Sequence, residues 1–419
     1  MQQYALVTLL APLVVLAGIA VVNRVIDPYQ IFSAQPQGTY ADKPALHANM
    51  RLHKAFQVRL QKPDTLILGT SKAIQGVPTQ HALFNGGRVY NLAMPLASMK
   101  ELTYLLRHAN TIEPTAQVVL ALDFLSFNAL ARTDGPAAGF LPARLSGHKL
   151  SRRTPIEDYL AATISLDALL ASIDAWKARN TQAPVAMGDE SPEHRVMTGR
   201  GGRLDTEIRS RLSDGGHRSN TLKIEEFFTN AVYLPTPHRQ FSFTSSNENS
   251  LYWFEQFLRT LHQNNITAFM FISPSHARLN ELIDAAGLWP LYEQWKRRML
   301  ALSIQVAREY AQEPYDLWDF SAPGKITTEP FPEAGDSDYP MRYYYESIHF
   351  NQHTGTMVLD SVYGSFDSPS STLPGNTFGQ RLTADNIESV LLNNKDSQHR
   401  FREQYPVYRH ELDTIVTDR

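Results

Sequence analysis

The chain has no cysteine. That absence excludes thiolate catalysis, disulfides and cysteine-ligated zinc, and it leaves the redox compartment open. No long run of lysine or arginine occurs, and 39 basic against 42 acidic residues leave a net charge of −3. The totals therefore carry no footprint for nucleic acid. No internal repeat is found.

What is present is ordinary for a globular protein: a hydrophobic fraction of 43% and a charged fraction of 19% over 419 residues. That length suggests one large domain with insertions, or two domains. One segment stands apart. YALVTLLAPLVVLAGIAVV, from Tyr4 to Val22, is uncharged and about as long as the hydrocarbon core of a bilayer requires. With no basic region before it, it reads as an uncleaved anchor over residues 1–22, a cleaved signal being the competing reading. Charge does not set its orientation, because Arg24 stands nearly alone on the far side.

Beyond the anchor, Asp27-Pro28 and the polar residues after it read as a connector over residues 23–60. From Thr65 the pattern alternates short apolar runs with helical periodicity. Thr65–Leu68, Arg88–Leu92, Gln117–Asp123, Thr267–Ser273 and Asp316–Ser321 read as strands. Between the second and third, Ser98 and Glu101 form a capping box at the head of a helix. This rhythm predicts an α/β fold with a parallel sheet between helices, a core in two parts, 61–129 and 245–365. Residues 130–244 break the rhythm and read as a helical and loop insertion or lid. Within it TGRGGRLDTEIRSRLSDGGHRSN reads as a solvated basic loop, or as a site for an anionic substrate. Residues 366–419 read as a peripheral helical tail.

The stretch DTLILGTSKAIQGV, Asp64–Val77, ends its strand on Gly69, Thr70 and Ser71. Ser71 stands where it would either cap the next helix or act as a nucleophile, and the stretch alone leaves both open. Ligands gather at the carboxyl ends of parallel strands. The polar residues there are Thr70, Ser71, Asn91, Asp123, Ser126, Asn128, Ser275 and His276. The late loop adds Glu346, His349, Asn351 and His353. A serine after the first strand with a late acid–histidine pair is an arrangement that serine hydrolases use. Glu346 and His349 also read as a helix-start ion pair, and with His353 as a metal set. Ser275 and His276 are a rival pair, although adjacent residues seldom face each other.

On these residues the chain resembles the SGNH hydrolase superfamily, in its membrane-anchored, polysaccharide-modifying branch. Gly69–Ser71 is similar to the first block, with Thr70 in place of aspartate. YNLAMPLA is similar to the second, with Ala93 where glycine is usual, LDFLSFN to the third, and Glu346–His349 to the last, with glutamate for aspartate. The order of blocks and the anchor are similar to the teichoic acid D-alanine transfer protein, and the chemistry to alginate O-acetylation proteins.

The resemblance implies a flavodoxin-like three-layer sheet, Ser71 as nucleophile, His349 as base and Glu346 as its orienter. It implies oxyanion or substrate roles for Asn91, Ala93, Asp123 and Asn128, and no metal or cofactor. The implied activity is transfer of an acyl, in the first instance acetyl, group to or from an envelope polysaccharide. A multi-spanning membrane acyltransferase is the implied partner, and the main domain would face the periplasm from the inner membrane. The alternative is a non-catalytic carbohydrate-binding or scaffold subunit of a polymer-modifying machine.

Overall fold

A computed structural model describes residues 2–34, 43–131, 140–145, 154–181, 216–235, 241–332, 341–367 and 378–417. In chain order the elements begin α1 (Gln2–Ile26), α2 (Pro44–Ala48), α3 (Met50–Gln61), β1 (Thr65–Leu68), α4 (Ser71–Gly76), β2 (Val89–Asn91), α5 (Met99–Ile112) and β3 (Gln117–Leu122). They continue with α6 (Thr154–Ile164), α7 (Leu166–Thr181), α8 (Gly216–Phe228), α9 (Ser250–Gln263), β4 (Thr267–Ile272), α10 (Ala277–Ala285) and α11 (Trp289–Glu309). The last are β5 (Leu317–Asp319), α12 (Gln352–Asp367), β6 (Gln380–Leu382), α13 (Ile387–Gln404) and α14 (Pro406–Thr417).

The chain divides into two compact units. One is drawn from Met1–Pro63, Arg107–Pro114 and Gly139–Thr206, the other from Asp64–Leu106, Thr115–Ala138 and Glu207–Arg419. The second unit holds a single sheet of order β2-β1-β3-β4-β5-β6. The first five strands run parallel and β6 runs antiparallel to β5. The parallel α/β core expected from the strand–helix rhythm is thus present. β1 is wholly buried, and β3 and β4 are buried beyond their first residue, as strands covered on both faces must be. The strand order reverses beside β1, which opens a crevice at the carboxyl ends of β1 and β3.

β6 was not expected. Its residues Gln380 and Arg381 are exposed and only Leu382 is buried, so no apolar run announces it. The C-terminal helices are less peripheral than their polar sequence suggests. Phe401 is buried, and Arg402 and Arg409 of α13 and α14 engage Glu281 and Asp284 of α10.

In the first unit α1 packs against α6 and α7. Asn23 is buried and ties them together. Its amide donates to the carbonyls of Thr163 at 3.1 Å and Ser165 at 3.4 Å, and its oxygen accepts from Ser172 at 2.9 Å. Among the described residues of 23–60, expected as a connector, the chain forms α2 and most of α3. The turn expected at Asp27-Pro28 is there. Asp27 has φ 49°, and its carboxylate accepts from the N–H groups of Ile31, Phe32 and Ser33. Ile31 and Phe56 then form a small core with Ala162.

Among the described residues no helix is long and apolar enough to cross a membrane. The spanning anchor expected over residues 1–22 is therefore not supported, and the side chains of residues 1–9 lie outside the described residues. The basic loop expected near residues 198–220 also falls outside them as far as residue 215, its last residues opening α8.

Candidate active site

β1 delivers the chain to Gly69, whose φ of 154° is reached easily only without a side chain. A Cβ there would lie 2.8 Å from the Ala73 Cβ and 2.9 Å from the Ala121 carbonyl oxygen. Glycine is what lets α4 start hard against β3. Thr70 is the N-cap of α4: its hydroxyl accepts from the Lys72 N–H at 3.3 Å and donates to the Asp123 carboxylate. The cap belongs to Thr70. Ser71, one residue on, is free of that task.

The half-buried Ser71 hydroxyl lies 2.8 Å from Nε2 of His349. The histidine reaches it from a tight turn closed by the Tyr345 N–H donating to the His349 carbonyl at 2.9 Å. Tyr344 bridges Phe350 across this turn, and Ile348 and Phe350 are fully buried, which fixes the loop. Glu346 does two things here. One carboxylate oxygen accepts from the N–H groups of Ile348 at 2.6 Å and His349 at 3.2 Å, and the other bonds Nδ1 of His349. Burial by itself would raise the Glu346 carboxyl, but the facing imidazole and the two N–H groups hold it below its ordinary value. The three side chains therefore form a serine–histidine–glutamate relay, the spacing that base-assisted attack by a hydroxyl requires.

The neighbouring polar residues are committed to positioning. Lys72, buried, pairs with Asp123 at 2.9 Å and donates to Ser275 at 3.0 Å. Asp123 thus holds the residues on both sides of Ser71. It takes both contacts through its carboxylate oxygens. Asn91 donates to the Ala73 carbonyl at 3.0 Å and accepts from the Ala93 N–H at 3.2 Å, tying the end of β2 to α4. Asn128 donates to the Val232 carbonyl and accepts from the N–H groups of Leu130 and Ser242. Each of Asn91, Ala93, Asp123 and Asn128, expected at the oxyanion or substrate, thus makes at least one bond that positions the fold.

The rivals separate as clearly. His276 is fully buried; its Nε2 bonds the Glu329 carbonyl at 2.7 Å and its Nδ1 accepts from the Arg278 N–H at 3.1 Å. Burial pushes its pKa down to about 4. It caps α10 and has no free nitrogen for Ser275. His353 stacks on Tyr343, with ring centroids 5.7 Å apart, and takes no part in the relay.

Three contributors escaped the sequence reading. Lys72 looks like a surface lysine of a helix, yet α4 is too short and too enclosed to have a wet face. Phe228, on α8, meets the His349 ring edge-on at 6.1 Å. Glu225, one turn earlier, is gripped by Arg278 through two bonds of 2.8 and 2.9 Å, and Arg278 reaches Glu411 of α14 at 2.7 Å. The spacing of Glu225 and Phe228 on one helical face was the available signal. Lys72, Asp123, Tyr233 and Ser275 line a cavity of ≈ 10 Å³, about the size of one water. Compared with family models, curated proteins and solved structures, the chain matches none of them.

Proposed function

We propose that this chain is a serine-dependent acyl-transfer enzyme of the SGNH type, moving an acetyl or similar acyl group to or from an exported polysaccharide. The observation that carries the reading is the 2.8 Å approach of the Ser71 hydroxyl to a His349 imidazole braced by Glu346. Ser71 Oγ attacks the ester carbonyl while Nε2 takes its proton, and Nε2 returns the proton to the departing alkoxide. A second hydroxyl, of sugar or water, then gives its proton to Nε2 and attacks the acyl carbonyl; the ester bond to Ser71 breaks and Nε2 returns that proton to Oγ, restoring the free serine. Glu346 keeps Nδ1 protonated and steadies the imidazolium. The Ser71 N–H, in the first turn of α4 where no intrahelical acceptor exists, serves as one oxyanion donor.

The envelope location is part of the same proposal, with a multi-spanning acyltransferase as donor and the catalytic unit on the periplasmic side. It is supported by the exposed leucines and valines of α1, Leu13, Val14 and Val15 among them. The second reading, a non-catalytic carbohydrate-binding subunit, is favoured by the bonds that tie both candidate oxyanion asparagines to backbone carbonyls. A fluorophosphonate probe separates the two, since it needs an activated serine and ignores the substrate. Wild type should label at Ser71 and Ser71→Ala should not. An unlabelled wild type, or equal labelling of the variant, would sink the catalytic reading.

A further inference from the structure

We infer that α6 and α7 lie in the interface of a lipid bilayer, so that the first unit meets a membrane through an outward apolar face and not through α1 alone. Sixteen of the twenty large apolar side chains exposed among the described residues belong to this unit. They are ordered. On α7 Leu166, Leu170 and Ile173 stand at helical spacing on one face, and the two leucines are 66% and 60% exposed. On α6 Ile156, Leu160 and Ile164 make a second exposed stripe.

The inward face of α7 is as telling. It carries Ala168, Ser172 and Ala175, at 0%, 1% and 4% exposure. A helix of a water-soluble protein turns its large apolar residues inward and its small or polar ones outward. On α7 the large apolar residues face outward, alongside exposed Asp167, Asp174 and Lys177, and the small ones face inward. In lipid that arrangement is the stable one, because small residues let helices approach and polar groups bond across the contact while leucines face acyl chains. The Ser172–Asn23 bond is such a contact.

A bilayer is the occupant that also accounts for α1. From Leu10 to Gly18 this helix is exposed on every side and uncharged, a surface too uniform for one protein groove. Asn23, at the end of its apolar run, is bonded to Thr163 and Ser165 at the corner between α6 and α7, so the apolar surfaces adjoin. Trp176 is exposed at the far end of α7, with Lys177 and Arg179 beside it, groups suited to the headgroup level. Glu157, Asp167 and Asp174 flank the stripes, so the attraction is apolar, with little dependence on salt or anionic lipid.

Because the chain has no cysteine, a single introduced one reports its own site. The full chain carrying Leu170→Cys, labelled with an environment-sensitive fluorophore, is mixed with vesicles of phosphatidylethanolamine and phosphatidylglycerol. Expected are a blue shift on vesicle binding and quenching by acyl-chain-brominated lipid, alike for Leu166→Cys and Val14→Cys, with Lys395→Cys on α13 unchanged. Leu166→Cys keeps the test decisive should Leu170→Cys fail to fold. A shift at position 14 without one at 166 or 170 overturns this inference while leaving the envelope location standing. No shift at any of the three overturns both. A shift at 166 or 170 that grows with protein concentration in the absence of lipid assigns the face to a second copy of the chain and overturns the bilayer. Fluorophosphonate labelling of Ser71 in the same samples reports the catalytic reading independently.

Discussion

Asp123 and Lys72 form an ion pair of 2.9 Å with side chains only 1% and 4% exposed, placed so that one carboxylate also receives the Thr70 hydroxyl. Ser71 lies between the two residues so held. Asp123→Asn should cost roughly 3–5 kcal/mol, because it strands a buried ammonium. Adding Lys72→Met should restore most of that stability, since an apolar replacement of the pair removes both desolvation penalties. Probe labelling should stay slow in the double variant, as the clamp on the nucleophile is still lost. Denaturant melts with labelling rates test this; wild-type labelling in the double variant would show the pair to be purely structural.

Thr70 and Ser71 should respond in opposite ways. Thr70→Ala loses a cap worth about 1 kcal/mol and a bond to a charged acceptor worth about 2 kcal/mol more. Ser71→Ala should change stability by less than about 0.5 kcal/mol and abolish labelling. Equal destabilisation by the two would return the capping role to Ser71.

Glu346→Gln should fold and yet label about a thousandfold more slowly, because an amide facing Nδ1 favours the tautomer with the proton on the wrong nitrogen. The acid limb of the stability curve should change too. The Glu346 carboxyl is held below its ordinary value, so its contribution is full above that value and is lost as pH falls through the lowered one. Denaturant midpoints on acidification should therefore fall less in the variant than in wild type. A steeper fall in the variant would contradict the assignment.

Two glycines of α12 should give opposite signs. A Cβ on Gly355 would stand 1.7 Å from the Gly76 carbonyl oxygen, and backbone cannot yield cheaply. Gly355→Ala should cost ~3 kcal/mol or prevent folding, and should slow labelling by shifting the turn that carries His349. Gly364 meets nothing within 4 Å, so Gly364→Ala should stabilise by up to about 1 kcal/mol and label normally. Thermal melts of the pair decide it.

Five strands, the glycine-led turn after β1 and the Glu346–His349 spacing were legible in the sequence, because each is encoded within a few residues. A fully apolar run such as Thr65–Leu68 has few places to go except a strand buried on both faces. Two residues three apart can share a turn wherever that turn lies. α2 and α3 were less legible, since Asp27-Pro28 announces a turn and carries no information about the helices beyond it. β6 had no signal, being three residues with one buried.

Only the tertiary structure decided which polar partner each group takes. Thr70 and Ser71 are interchangeable as caps on local chemistry. The choice fell to Thr70 because β3 brings Asp123 beside one hydroxyl, while the loop after β5 brings His349, 278 residues away, beside the other. Asn91 and Asn128 sit at strand ends, and which carbonyls their amides meet, Ala73 and Val232, was set by the fold. The outward leucines of α7 read in sequence like any buried stripe. Their direction was set by the small face of Ala168, Ser172 and Ala175, which packs inward. Hydrophobic period and turn chemistry are local and survive in a string of letters. Competition among hydrogen-bond partners and the choice of which helix face is covered depend on atoms far away in the chain, and only folding brings those together.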